Sequence, residues 1–337
     1  MARPESSRTE AVAVAAFPDG VLNVRKERGC TSHDVVARLR RLLGGAKVGH
    51  AGTLDPEATG VLPILVGKAT RIAEFLSQWD KEYRAVLRLG ESTDTQDATG
   101  TVMATRQVGL VTEEMVRGVL PRFVGPIRQV PPMYSAVKVG GVPLYKTARA
   151  GRTIEREART ITVHGIKVLG IEGRDVTLRI ACSKGTYIRT LCAEIGDALE
   201  LGGHMVSLER ERVGQLNLLN ARTVEEIAVF VSQGCLGDAM QSIDETLGNM
   251  PRLEVGAEDA IRVLHGVPIP LSSVVGVEPG EGSKLPEGQI VRLKDSTGCL
   301  LGLGRIPSGG LLGFGGQNQP GRTVRVVKVF AAADSRG

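Results

Sequence analysis

The chain has 337 residues, 42% apolar and 23% charged, and 42 basic against 37 acidic side chains give a formal net charge of +5. This balance excludes a disordered chain, supplies apolar surface for a sizeable core, and at this length points to two domains. Cys30, Cys182, Cys192, Cys235 and Cys299 form no Cys-x-x-Cys pair, His33, His50, His164, His204 and His265 show no ligand spacing, and no apolar run reaches membrane-spanning length; a reduced cytoplasmic protein is expected, with no metal, secretory signal or membrane span.

Residues 1–16 are small, polar or Ala/Val-rich and read as a flexible tail. Val21–Val24 predicts a short strand. Thr31-Ser32 then supplies a cap for a helix from Asp34 to Leu43, with Val35, Val36, Leu39, Leu42 and Leu43 facing the core and Arg38 and Arg41 facing outward. Between regular elements stands Gly49-His50-Ala51-Gly52-Thr53-Leu54-Asp55-Pro56-Glu57-Ala58-Thr59-Gly60-Val61-Leu62-Pro63. Pro56 keeps Asp55 out of the right-handed helical region, and Gly52 and Gly60 permit tight backbone approaches, so one carboxylate is held at a fixed orientation. An Asp-Pro turn capping the next element is the ordinary reading of a Leu-Asp-Pro met alone.

A helix is expected around 69–79, followed by a period-two strand with Tyr83 at its entrance and Ala85, Leu87 and Leu89 on the same face. Glu91–Asp97, including Asp94 and Asp97, reads as a solvated polar turn. Residues 111–121 predict a helix. The Pro/Gly-rich, basic stretch 126–152 reads as an excursion from the core; its Lys138, Lys146, Arg149 and Arg152 suit phosphate contacts, although a solvated charged face has the same composition. Thr160–Leu169 and Asp175–Cys182 predict a hairpin turning through 170–173, and Ile188, Leu191, Cys192, Ile195 and Leu199 form a helical stripe. Arg189 falls near that helix's N-terminus, where the dipole disfavours a cation unless an anionic partner compensates it. Beyond Pro251, apolar pieces at 263–264, 289–293, 300–304 and 323–329 are separated by Gly, Pro and Ser turns, which predicts a small β-rich domain over 251–330 and a frayed end over 331–337.

These blocks carry a resemblance. The Asp55 segment is similar to the central motif of the bacterial tRNA pseudouridine synthases that modify the T-loop uridine. Lys81-Glu82-Tyr83 resembles the strand motif bearing that family's active-site tyrosine. Pro131-Pro132-Met133-Tyr134-Ser135-Ala136-Val137-Lys138, with Gly141, Tyr145 and Ala148-Arg149, resembles its RNA-clamping thumb, and Lys184-Gly185-Thr186-Tyr187-Ile188-Arg189-Thr190-Leu191 the motif bearing its active-site arginine. The matching blocks run from about residue 20 to residue 214. The chain departs from the family's usual Asp-Lys-Pro with Arg25-Lys26-Glu27, and from its Leu-Arg-Arg and Gly-x-Phe with Leu208-Glu209-Arg210 and Gly214-Gln215-Leu216. The last domain resembles the RNA-binding PUA domain in its β-rich pattern and glycine placement.

The resemblance implies an α/β (α+β) fold: a mixed-sheet catalytic domain over 17–248, with 126–152 as an RNA-binding thumb, then a PUA-like barrel over 251–330. It implies catalytic roles for Asp55, Tyr83 and Arg189, with Asp55 attacking the sugar C1′ or the base C6, Arg189 pairing with it, and Tyr83 stacking on the base and taking part in proton abstraction. Gly52, Thr53, Pro56 and Gly60 would support the loop. His50 would serve the flipped-out RNA conformation, Lys138, Arg149 and Arg152 are the candidate RNA contacts, and Asp94 and Asp97 would lie beside the active-site cleft without being metal ligands. By the same resemblance no cofactor is needed and the partner is tRNA, through its T-arm and acceptor end, with no guide RNA or obligate protein partner. A guide-dependent rRNA pseudouridine synthase is the alternative enzyme; RNA binding or folding assistance without catalysis is the alternative of another class.

Overall fold

The computed structural model describes residues 17–135, 137–278, 285–309 and 322–330. The predicted tails lie outside this set, as do the side chains of Lys138, Tyr145 and Arg149. Contacts divide the chain into two compact units, the first from Leu22 to Met240 and the second from Gln241 onward together with Asp19–Val21.

The first unit is built on a ten-stranded mixed sheet. Its central path runs Gly20–Lys26, Thr59–Val66, Gly203–Val213, Lys81–Leu89, Asp175–Cys182, Arg159–Glu172 and Gly125–Gln129. Thr59–Val66 and Gly203–Val213 run parallel, whereas the pairings of Lys81–Leu89 with both its neighbours are antiparallel. The alternation in Lys81–Leu89 is realised: Tyr83, Ala85, Leu87 and Leu89 are buried on one face, together with Val176, Leu178 and Ile180 of the adjacent strand. Truncating one of these, as in Leu87→Ala, is expected to cost about 2–5 kcal/mol through lost burial and the cavity left behind.

The first helix spans Ser32–Leu42 with Thr31 as its N-cap. Asp34 N–H donates to Thr31 Oγ1 at 3.1 Å and Thr31 N–H donates back to Asp34 Oδ2 at 2.8 Å, closing a capping box. The expected helix around 69–79 is a 3-10 turn, Gly67–Ile72, leading into a short α-helix, Ala73–Ser77. The helix expected at 111–121 spans Glu113–Val119 and continues as a 3-10 turn, Leu120–Phe123.

Two expectations need correction. The hairpin does not turn at 170–173: the first strand continues to Glu172 past a bulge between Val168 and Gly170, and Glu172 pairs with Asp175 across Gly173-Arg174. The stretch from Pro126 does not leave the core at once, because Gly125–Gln129 is a sheet strand paired with Arg159–Val163. Only beyond it do the small elements Lys138–Val139, Val142–Pro143 and the helix Leu144–Arg149 follow.

The second unit holds a six-stranded sheet in the order Ile269–Pro270, Thr323–Val329, Leu300–Arg305, Ile290–Asp295, Arg252–Val255, Val274–Glu278. This smaller curled sheet resembles the expected PUA-like domain. Val263 and Leu264 lie on a helix, Ala257–Leu264, whose Ala260 and Val263 pack into the core of this unit. The short helix Ile243–Thr246 belongs here too, since Asp244 accepts from Arg292 Nη1 at 2.8 Å and from Lys294 Nζ at 2.6 Å.

Candidate active site

Asp55 sits in the loop of a hairpin. Val48–His50 and Thr59–Val66 pair antiparallel, His50 opposite Ile64, and residues 51–58 span the gap. The loop's polar backbone is held from two sides. On one side Ser32 Oγ bridges both main-chain groups of Leu54, accepting from its N–H at 2.9 Å and donating to its carbonyl at 3.1 Å, while buried Lys26 Nζ donates to the carbonyls of Pro56 at 3.0 Å and Ala58 at 2.6 Å. On the other side Arg210 donates to Gly52 O at 2.9 Å and Val61 O at 2.7 Å. Gly60 has φ +102°, and a Cβ there would lie 2.3 Å from the Arg210 carbonyl oxygen, so the strand contact requires glycine. Gly52, at φ +86°, turns the chain toward Asp55.

Arg189 lies in the first turn of the helix Ile188–Ala198, buried at 6% exposure. This helix has no side-chain cap of its own. Gln129, at the end of the sheet's edge strand, instead accepts from Tyr187 N–H at 2.8 Å and donates to the Tyr187 carbonyl at 3.1 Å. The arginine is thereby aimed at two carboxylates: Nη2 donates to Asp55 Oδ2 at 2.7 Å and Nη1 to Asp97 Oδ2 at 3.3 Å. The anionic compensation expected for a cation at this helix end is therefore present twice.

Asp97 corrects the reading of Glu91–Asp97 as a solvated turn. Its side chain is only 15% exposed, and Oδ1 accepts from Thr95 Oγ1 at 2.7 Å and Thr99 Oγ1 at 2.6 Å, leaving Oδ2 for the arginine. Gln96, at φ +64°, accepts from Thr190 Oγ1 at 2.7 Å and so ties this turn to the residue following Arg189. A Thr/Asp-rich turn has the same composition whether it is solvated or folded inward. The sequence signal that could have separated the two readings is the unpaired Arg189 seeking anions.

Burial is the largest influence on the Asp55 carboxyl and pushes its pKa above the usual aspartate value, with Arg189 and Lys26 opposing and Asp97 adding to the rise. Even so, 43% of the side chain meets solvent, which leaves the carboxylate an open side for a substrate. Tyr83 faces Arg210 across one strand pair and Ile180 across the other. Burial pushes its phenol above the ordinary tyrosine value, with Arg210 pulling the other way, so the hydroxyl of buried Tyr83 is neutral in this state. His50 is half-buried, and its ring meets that of His33 edge-on with centroids 6.0 Å apart. Burial, then His33 and Arg210, push its pKa down, which suits a neutral wedge better than a phosphate contact.

The structure thus brings Asp55 and Arg189 together, adds Asp97, and sets Tyr83 on the strand beside Arg210. Thr53 and Pro56 are exposed on the loop, and Arg152 is exposed beyond the Leu144–Arg149 helix. Lys26 and Arg210 are not legible in the sequence as supports of the Asp55 loop, because their partners are backbone carbonyls, which carry no residue-type signature. Two of the three departures from the family pattern face one another: Arg25 Nη2 lies 3.8 Å from Glu209 Oε1. Among the described residues no cluster of His, Cys, Asp and Glu could hold a metal ion, and no helix is long and apolar enough to cross a membrane.

Comparison with known proteins agrees with this geometry. Residues 40–188 match the model of the TruB family pseudouridylate synthase N-terminal domain. The chain is 45% identical over 292 residues to tRNA pseudouridine synthase B of Ralstonia nicotianae, covering 84% of this chain and 89% of that protein. It is 44% identical to the protein of the same name from Dechloromonas aromatica, covering 82% and 97%. Among solved structures it is similar to a Cbf5-Nop10-Gar1 complex, with a TM-score of 0.74 and 31% identity over 94% of this chain and 86% of that one. An H/ACA RNP bound to a substrate RNA containing 2′-deoxyuridine gives a TM-score of 0.71 at 28% identity, covering 94% and 86%. With a carboxylate, an arginine and a tyrosine on the elements where the family motifs fall, and this extent of identity, the chain belongs to the TruB family of pseudouridine synthases.

Proposed function

We propose that this protein isomerises the T-loop uridine of tRNA to pseudouridine in the cytoplasm, using Asp55 as nucleophile and needing no cofactor. The carrying observation is the Arg189 guanidinium 2.7 Å from Asp55 and anchored on its far side by Asp97. The reaction breaks the N1–C1′ bond, forms a C5–C1′ bond to the same base, moves the C5 proton out and supplies one at N1, so no redox partner or group donor enters. Asp55 acts as its anion, attacking C1′ or C6, and Arg189 favours that ionised form while fixing its direction. Tyr83 supplies an aromatic face for the base and a hydroxyl at the site of proton movement.

A T-loop uridine is paired and stacked, so it must be turned out of the RNA at a cost of a few kcal/mol. Half-buried, neutral His50 would fill the space it leaves, and Lys138, Arg149 and Arg152 would repay part of the cost through phosphates. In this reading the catalytic domain ends near residue 240, with the part of 126–152 beyond the sheet strand as its thumb, and the unit from Gln241 onward holds the PUA-like RNA-binding domain that engages the acceptor end. Relatives at 43–45% identity carry the name tRNA pseudouridine synthase B, whereas the Cbf5 and H/ACA structures stand at 28–31%; that gradient supports a stand-alone tRNA enzyme over a guide-dependent one. Incubating the purified protein with an unmodified tRNA transcript and mapping pseudouridine tests this directly. Product in the T-loop without any guide is expected, and Asp55→Asn should bind the transcript yet lose at least about 10⁴-fold in rate, as removal of an enzyme nucleophile does. Product only with an added guide complex would reverse the choice, and wild-type turnover by Asp55→Asn would remove the nucleophile assignment.

A further inference from the structure

Arg210 is the largest fully buried side chain among the described residues, 1% exposed, and no carboxylate among them pairs with it. A buried guanidinium is unfavourable unless oxygen dipoles satisfy its donors. Here three of them come from a single hairpin, where Nη2 donates to Gly52 O at 2.9 Å, Nε to Val61 O at 2.7 Å, and Nη1 lies 3.5 Å from Thr53 O, and the Tyr83 phenol oxygen accepts as well. These carbonyls flank Asp55 on both sides along the chain. The main chain of Arg210 is meanwhile paired with Gly60 in parallel and with Tyr83 in antiparallel register.

One residue therefore touches the hairpin that carries Asp55 and the strand that carries Tyr83. We propose that Arg210 is a positioning residue, which locks the Asp55 hairpin to the Tyr83 strand so that carboxylate and ring keep their separation while the RNA base enters. Its planar fork reaches carbonyls on both arms of the hairpin at once. A lysine, with a single nitrogen, cannot hold both arms in that geometry. The requirement for glycine at position 60 belongs to the same device, since any Cβ would press on the Arg210 main chain and open the contact. This inference rests on the pseudouridine synthase reading only in needing Asp55 and Tyr83 to act on one base; the locking itself can be observed without substrate.

The test is Arg210→Lys, measured by tRNA affinity, by single-turnover pseudouridine formation at saturating tRNA, and by amide hydrogen exchange of the free protein. Affinity is expected to stay within a few-fold while the rate falls on the order of 10²-fold, the effect of displacing a catalytic group by about 1 Å. Exchange should rise in residues 51–61 and stay unchanged in Asp175–Cys182 of the same sheet. A wild-type rate overturns the proposal, and so does a rate loss accompanied by increased exchange throughout the sheet, which marks Arg210 as a general stabiliser. Should Arg210→Lys not fold, Gly60→Ala decides by the same measurements: local exchange and lost rate with retained affinity support the lock, and an unchanged rate rejects it. If the wild type itself makes no pseudouridine, the functional reading fails while the exchange comparison still judges the lock.

Discussion

The Asp55 hairpin and the segment from Val130 to Ala158 are both loops by composition, yet they are held in opposite ways. In the hairpin, carbonyls of Gly52, Pro56, Ala58 and Val61 are each bound by a buried cation, and Leu54 is bridged by Ser32. The basic segment is held by short-range main-chain bonds of its own: Leu144 N–H donates to the Val137 carbonyl at 2.8 Å, Lys138–Val139 pairs with Val142–Pro143, Arg152 N–H donates to the Thr147 carbonyl at 3.1 Å behind the helix Leu144–Arg149, and Arg156 Nη1 reaches the Pro131 carbonyl at 3.1 Å. Chemistry needs a carboxylate fixed to a fraction of an ångström, whereas capture of a folded RNA needs charge that can follow a surface. Under the proposed function the chain would meet the two demands by burying Lys26 and Arg210 under one loop and exposing Lys146 and Arg152 along the other.

The sharpest way to break this contrast is Arg189→Lys. Charge is kept but the fork spanning Asp55 and Asp97 is lost, so single-turnover chemistry should fall about 10²-fold with tRNA affinity nearly unchanged. A binding defect without a chemical one would place Arg189 with the phosphate contacts instead.

The next test is pH. Because the Asp55 pKa is raised, its ionised form and hence the rate should be lost as pH falls through a midpoint above that of an ordinary aspartate. Asp97→Asn removes the like charge that adds to the rise and leaves Arg189 to Asp55 alone, so the acid limb of the pH–rate profile should move to lower pH; a limb that stays in place would dissociate Asp97 from the Asp55 carboxyl.

Arg149→Ala and Arg152→Ala should show the reverse bias. Each is expected to weaken tRNA binding a few-fold at physiological salt, to reduce the slope of log affinity against log salt by about 0.7–0.9 if one phosphate contact is lost, and to leave the saturated single-turnover rate near wild type. Equal losses in binding and chemistry would merge the two regions' roles. The smallest effect belongs to Arg25 and Glu209, a half-exposed pair 3.8 Å apart. Arg25→Glu should cost below about 1 kcal/mol by denaturant unfolding, and the reversed pair Arg25→Glu with Glu209→Arg should recover most of it; no recovery would mean that the departures at 25 and 209 are independent.

Legibility along the sequence followed the same division. Helix Ser32–Leu42 and strand Lys81–Leu89 were readable because their periodicity is local and their buried faces are purely apolar. The strand Gly203–Val213, near the middle of the larger sheet, was missed: Glu209, Arg210, Glu211 and Arg212 look like surface, but Arg210 is buried against carbonyls and Arg179 binds Glu211 at 2.8 Å. Gln129 falls within a stretch whose composition marks an excursion, and nothing in Pro126–Gln129 announces that its amide will hold the helix bearing Arg189.

By itself the sequence singled out the candidates for the reacting groups. Asp55 stands in a segment whose glycines and proline allow little else, and Tyr83 and Arg189 stand in motifs whose order along the chain is specific. Only the tertiary structure decided what holds them: Asp97 as the second anchor of Arg189, and Lys26 and Arg210 as cations bound to main-chain oxygen. The physical reason is that a side chain's chemistry is written in its own letter, whereas a backbone carbonyl is the same at every position and becomes a partner only when strand register brings it within about 3 Å of a donor.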